Sequence, residues 1–236
     1  MLARTILVLK LKHQFYSRKI QSFRYPHWVW AKEIKNLIHK YPELKNKEKI
    51  IDLPCGEAYI PIALRIMGIN NHFCLVDNNP KLVESLKSSF ALLSDFESIN
   101  CTYENYRFEH SDSIWLFVNS ILLIDDPTKI FLNNSVLPKF IILIVSDIDS
   151  KNYKEYKLKN NQPQLEWTNI QLNELFDKQG YRIIESKKTT AFDFYFWFKI
   201  PILKYILNFF FIFLEPIWSR YSAGNYYIIL FQYGNA

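Results

Sequence analysis

The stretch Lys49-Ile50-Ile51-Asp52-Leu53, followed at once by Pro54-Cys55-Gly56-Glu57-Ala58, constrains this chain more than any other part of it. A short apolar run closed by an acid reads as a buried strand, and the Pro and Gly behind it break the chain into a turn. Ile60 to Met67 then predicts a helix, with Pro61 in the first turn, where its absent N–H breaks no helical bond, and Gly68 at the end. Phe73-Cys74-Leu75-Val76-Asp77 predicts a second strand, again closed by an acid, and Pro80 opens a helix through Leu93. Strand, turn, helix and strand in this order form the unit of a parallel sheet whose ligands collect beyond the strands' carboxyl ends.

The alternation continues. Cys101 to Phe108 and Ile114 to Val118 predict strands, and Pro127 to Leu137 a helix. Phe140 to Val145 is an unbroken apolar run suited to a central parallel strand covered on both faces. A helix over Glu166 to Gln179 ends at Gly180, and strands follow at Tyr181 to Glu185 and Tyr226 to Gln232. Upstream, Trp30, Ile34, Leu37 and Ile38 give helical spacing over Trp28 to His39. Residues 1–24 suit a helical face and a strand alternation equally, so periodicity does not decide between them. The expected fold class is α/β: a doubly wound, mostly parallel, Rossmann-like sheet with an apolar helical insertion before the last strand.

Charge is unevenly spread. Residues 1–49 hold twelve Lys and Arg against three acids, in a chain whose formal charge is +6, so the remainder is slightly acidic. A basic arm of this kind fits an anionic partner such as a lipid headgroup, nucleic acid or phosphate, and equally a solvated segment. Cys55, Cys74 and Cys101 form neither a CxxC pair nor a disulfide framework, and Ile6 to Leu9 is too short for the apolar core of a secretory signal. The expected setting is reducing and cytoplasmic.

In a sheet of this kind the turn after the first strand offers backbone N–H groups, and the acid closing the second can take both hydroxyls of a ribose. Gly56 and Asp77 are 21 positions apart, close to the roughly 20 of a nucleotide fold. A dinucleotide calls for G-x-G-x-x-G, whereas this loop has one glycine flanked by Pro54 and Ala58. A cofactor without phosphate asks less of the loop, and S-adenosylmethionine fits better.

Ile51 to Ala58 resembles motif I of the class I S-adenosylmethionine-dependent methyltransferases, and Leu75-Val76-Asp77-Asn78-Asn79-Pro80 resembles their motif II. Ile114 to Pro127 is similar to their fourth strand and the segment behind it, and Phe140 to Asp147 to their fifth; the likeness covers about residues 28–190. It implies that Asp52 and the loop Pro54, Cys55, Gly56 and Ala58 face the methionine part of the cofactor and that Asp77 binds its ribose. It also implies that Asn78 flanks the adenine, that Glu104 or Asn105 reaches the adenine amine, and that Asn119 sits beside the sulfonium. The chain is then one methyltransferase-like domain over 1–236. It comprises a basic cap at 1–45, a cofactor-binding core at 46–190, an apolar insertion at 191–221 and a last strand at 222–236. Two of the family's three loop glycines are missing, so a degenerate, non-catalytic scaffold is an alternative expectation.

Exclusion narrows the acceptor to an activated oxygen, or a nitrogen or carbon, without naming it. Asn119-Ser120-Ile121-Leu122 departs from the D/N-P-P-Y/F loop of exocyclic or amide N-methylation, and no cysteine lies where cytosine C5 methylation needs a nucleophile. Asp147 and Asp149, just past the fifth strand, could supply two carboxylates to a metal, but such loop pairs are usually solvated, and no metal is expected. O-methylation of a small-molecule or lipid-linked acceptor is the leading expectation, with Asp147 and His27 as candidate bases. An RNA methyltransferase gripping phosphates with the basic arm is the second, ranked lower because no RNA-binding module is visible.

Phe192 to Leu214 holds fifteen Phe, Ile or Leu, each favouring insertion by about 0.3–0.6 kcal/mol. Lys199 and Lys204 oppose it by about 2.5–3.5 kcal/mol each, so spanning is not favoured. Peripheral docking on a membrane surface is expected, and a pocket lid or dimer contact is the alternative role for this stretch. Oligomeric state is left open.

Overall fold

The computed structural model describes residues 24–118, 120, 126–148, 168–189 and 226–234. The elements, in chain order, are α1 (Arg24–Lys40), α2 (Pro42–Lys45), β1 (Lys49–Asp52), α3 (Tyr59–Ile66), β2 (His72–Asp77), α4 (Pro80–Phe90) and β3 (Phe96–Asn100). They continue with β4 (Ser113–Val118), α5 (Thr128–Leu132), β5 (Phe140–Ser146), α6 (Asn169–Lys178), β6 (Tyr181–Thr189) and β7 (Tyr226–Tyr233). The helix starts are written locally. The Asn79 side chain accepts from the N–H groups of Lys81 and Leu82 ahead of Pro80, and Thr168 with Gln171 forms a reciprocal capping box at α6.

The strands form one sheet in the order β3-β2-β1-β4-β5-β7-β6. All pairings from β3 to β5 are parallel, and β7 runs antiparallel to both β5 and β6. The expected doubly wound, mostly parallel sheet is what the chain forms.

Side-chain alternation sorts the two cores. Ile50, Phe73, Leu75, Ile114, Leu116 and Ile142 face a layer containing Trp30, Ile34 and Ile38 of α1, Ile62 and Ala63 of α3, and Leu86 of α4. Ile51, Cys74, Trp115, Phe117, Ile141 and Leu143 face the opposite way, toward Ile130 and Phe131 of α5 and Leu172 and Phe176 of α6. Helices on both faces explain why β5 is apolar at every position from Phe140 to Val145. The order reverses between β1 and β4, with β2 and β3 on one side and β5 on the other, which is where such folds open a crevice.

Two expectations are corrected. The third strand is Phe96–Asn100, not Cys101 to Phe108. β3 lies at the sheet edge and is only half-buried, so its sequence Phe-Glu-Ser-Ile-Asn carries little apolar pattern. Tyr106 and Phe108, which suggested a strand, are buried instead as loop residues under the second core. The helix expected from Pro127 to Leu137 is a short one, Thr128–Leu132. Beyond it the Asn134 side chain donates to the carbonyls of Ile130 and Tyr106 and accepts from Phe108 N–H, so it serves loop backbone and the helix does not continue. The basic arm before residue 24 and the apolar stretch 191–221 lie outside the described residues. Among the described residues, no helix is long and apolar enough to cross a membrane.

Candidate functional site

β1 delivers Asp52 to its carboxyl end, and the backbone turns through Leu53 to Ala58 into α3. Gly56 has φ +50° and Ala58 φ +56°, both in the left-handed region. Three bonds pin this turn to the sheet. Cys55 N–H donates to the Val76 carbonyl at 2.9 Å, Leu53 N–H to Leu116 at 3.4 Å, and the Trp115 indole N–H to the Leu53 carbonyl at 3.2 Å. The site loop is therefore hung from β2, β4 and a core tryptophan.

Asp77 closes β2. Its Oδ2 accepts from Gly56 N–H at 3.0 Å and its Oδ1 from Asn79 N–H at 2.9 Å. Cys101 N–H and the Asn100 side chain both donate to the Asp77 carbonyl at 3.0 Å, bringing the residues after β3 alongside. Each carboxylate oxygen retains acceptor capacity beyond its one backbone bond.

These elements enclose a cavity of about 500 Å³, within the range of small-molecule sites. Its wall runs from Asn78, Cys101 and Tyr103 beyond β2 and β3, through Asp77, Asp52 and the loop Leu53–Glu57, to Tyr59 and Ile60 of α3. Val118, Ser120 and the α1 residues His27 and Trp30 complete it. Among the described residues, three acids line it and no Lys or Arg does. Asp52 is only 3% exposed; burial first, and then the nearby Asp77 charge, raise its pKa well above the usual carboxylate range. Burial, with Asp52 and Asp77 adding to it, also pushes up the Cys55 thiol, so this cysteine stays protonated and is a poor nucleophile.

Of the residues singled out in the sequence, Asp52, Pro54, Cys55, Gly56, Asp77, Asn78 and His27 meet at this cavity. Ala58 is buried just behind the wall as the residue that caps α3. Glu104 and Asn105 are not brought to it; because β3 ends at Asn100, Cys101 and Tyr103 occupy that part of the wall. Asp147 is not in the wall either: it is 7% exposed and accepts from Lys188 Nζ at 3.1 Å. Asn119 lies outside the described residues, as does Asp149. No group of acids, histidines or cysteines that could hold a metal ion occurs among the described residues.

Sequence reasoning missed Trp30, Tyr59, Tyr103 and Ser120. Trp30 had a signal, since it lies three residues after His27 and so shares its helix face; the two rings are 5.1 Å apart, and His27 is 5.0 Å from Tyr59. Ser120 adjoins Asn119, and Tyr59 follows the turn directly, but neither type marks a site by itself.

The same fold occurs in solved structures. The plantazolicin methyltransferase, crystallised with a triazolic desmethylPZN analogue and S-adenosylhomocysteine, superimposes with a TM-score of 0.59 at 14% identity, over 98% of this chain and 99% of that one. The magnesium protoporphyrin IX methyltransferase of Synechocystis PCC 6803, with bound S-adenosylhomocysteine, gives 0.56 at 11% identity, over 98% and 99%. A SAM-dependent methyltransferase of Aquifex aeolicus gives 0.57 at 10% identity, over 95% and 97%. The chain has the class I methyltransferase fold. No family model matches its sequence, and no curated protein sequence does. In a methyltransferase fold the cavity found here lies beyond the carboxyl ends of the strands, at the reversal of strand order.

Proposed function

We propose that this chain binds S-adenosylmethionine in the cavity and transfers its methyl group to oxygen on a small-molecule or lipid-linked acceptor. The observation that carries the proposal is the acidic make-up of the wall: Glu57, Asp77 and the buried Asp52 carboxyl, with no Lys or Arg among the described lining residues. A dinucleotide brings pyrophosphate, which such a wall repels; a cofactor without phosphate and with positive charge is attracted. When bound, S-adenosylmethionine supplies an electrophilic methyl group on a sulfonium.

The chain's own residues then divide the work. Asp77, its carboxylate already oriented by Gly56 and Asn79, accepts from the ribose hydroxyls. Asn78 and Tyr103 flank the adenine, and the turn at Cys55 and Gly56 lies along the methionine part. Asp52 becomes ionised as positive charge arrives beside it. His27, placed in the wall against Tyr59 and Trp30, is the base that takes the acceptor hydroxyl's proton. Asp147, paired with Lys188 on β6 and outside the described wall, takes no part in this division.

Calorimetric titration with S-adenosylhomocysteine and with NAD tests the cofactor. Binding of the first alone supports the proposal; preference for NAD, or binding of neither, sinks it. Labelled methyl from S-adenosylmethionine, followed in cell extract, tests the acceptor. Label in organic-soluble material supports a small-molecule or lipid-linked acceptor, and label confined to RNA overturns it. Peripheral docking through the apolar stretch is part of the same proposal, and flotation with anionic liposomes tests it: protein left at the bottom of the gradient refutes docking.

A further inference from the structure

Two buried polar atoms in the described part of the molecule have no hydrogen-bond partner although they sit in the wall of the cavity: Trp30 Nε1 and Ser120 Oγ. The residues are 2% and 5% exposed. An unpaired buried donor is destabilising, and native proteins hold few of them. Such a group persists where a ligand satisfies it.

Their position separates them from the cofactor's nucleoside end. Asp77, Asn78, Cys101 and Tyr103 stand beyond β2 and β3, whereas Ser120 lies just past β4 and Trp30 on α1, across β1 from them. Around Trp30 the wall is built of flat rings: His27 and Tyr59 line it, and Trp30 packs edge-on against Tyr226 at 4.8 Å. Rings of this kind favour a planar body, and the two orphan groups call for an oxygen on it, with the indole N–H able only to donate. Glu57 and Asp77 in the wall disfavour an anion.

We infer that the α1 end of the cavity is an acceptor subsite for a neutral, planar molecule carrying a carbonyl-type oxygen, bound by Trp30 Nε1 and Ser120 Oγ. This rests on the reading of the site as a methyltransferase's and names the substrate class that reading leaves open. Trp30 donates to the oxygen, Ser120 completes the pair, and His27 and Tyr59 hold the ring. An aryl ketone meets these terms; an aryl carboxylate of the same shape does not.

The test is calorimetric titration of the full chain with 4-hydroxyacetophenone and with anionic 4-hydroxybenzoate, with and without saturating S-adenosylhomocysteine. The ketone should bind at least tenfold more tightly than the carboxylate. Trp30→Phe and Ser120→Ala should each weaken the ketone by about three- to tenfold, the worth of one neutral hydrogen bond. Both variants should keep their affinity for S-adenosylhomocysteine within twofold. Ser120→Ala should unfold at the same denaturant concentration as wild type or a higher one, because it removes an unpaired buried hydroxyl and little volume. Absent ketone binding, a preference for the carboxylate, or variants that lose S-adenosylhomocysteine and keep the ketone would each overturn the subsite. Failure of S-adenosylhomocysteine to bind wild type, with ketone binding intact, would instead remove the methyltransferase reading and leave the subsite standing.

Discussion

The backbone N–H of Gly56 donates to Asp77 Oδ2 at 3.0 Å, joining two loops 21 residues apart in the chain. The first loop's conformation and the second loop's carboxylate are therefore one unit. Whatever Asp77 binds also feels the turn at Gly56, and a change at either end disturbs both.

Asp77→Ala should weaken S-adenosylhomocysteine binding by about tenfold to several hundredfold. Hydrogen bonds to a charged group contribute about 1.5–3 kcal/mol each, and 1.4 kcal/mol is a factor of ten. Titration calorimetry reads the loss. Unchanged affinity in a folded variant would show that the carboxylate does not meet the ligand.

Gly56→Val should act through the backbone rather than through a clash. A Cβ at this position meets nothing within 4 Å, but φ is +50°, where L-residues are strained by about 1–2 kcal/mol. The loop should relax away from that conformation and release Asp77, lowering cofactor affinity while circular dichroism stays native. Normal binding would show that the left-handed turn is dispensable.

Asp52→Asn should change the pH dependence of stability in a defined direction. Burial, followed by Asp77, holds the Asp52 carboxyl protonated above the usual carboxylate range in the folded protein. The unfolded chain loses that proton first, so stability falls as pH rises from the ordinary carboxylate range through the raised pKa, and the deficit is complete above it. Denaturation at pH 8 should find Asp52→Asn more stable than wild type, with the difference shrinking toward pH 4. The same variant should bind cationic S-adenosylmethionine less well relative to neutral-sulfur S-adenosylhomocysteine. Equal ratios in the two proteins would separate Asp52 from the sulfonium.

Trp115→Phe should weaken both the core and the site. The indole is 1% exposed and donates to the Leu53 carbonyl at 3.2 Å, so Phe leaves that acceptor unpaired at a cost of about 1–3 kcal/mol. Equilibrium denaturation should show the loss, and cofactor affinity should fall because Leu53 begins the turn. A destabilised variant with unchanged affinity would mean that the loop does not depend on this bond.

The central strands were legible because they are buried on both faces. Ile50-Ile51, Phe73 to Val76 and Phe140 to Val145 leave no other role for such runs, and the acids that close β1 and β2 stand out against them. Gly56 was legible because a turn of this shape needs positive φ. β3 was hidden by its place at the edge, half-buried and half-polar, and with it went the residues that follow. Glu104 and Asn105 suited the chemistry by type, yet a strand ending at Asn100 puts Cys101 and Tyr103 in the wall instead.

Local pattern by itself determined the alternation of strand and helix, the turn at Gly56 and the two acids, since each depends on residues a few positions apart. Tertiary structure alone decided the insertion of β7 between β5 and β6, the ion pair that occupies Asp147, and the meeting of Trp30 with Ser120 at one cavity. Those relationships join residues tens of positions apart, and no periodicity or turn signal carries information across such a distance. They exist only once the whole sheet has formed and α1 has packed against α3.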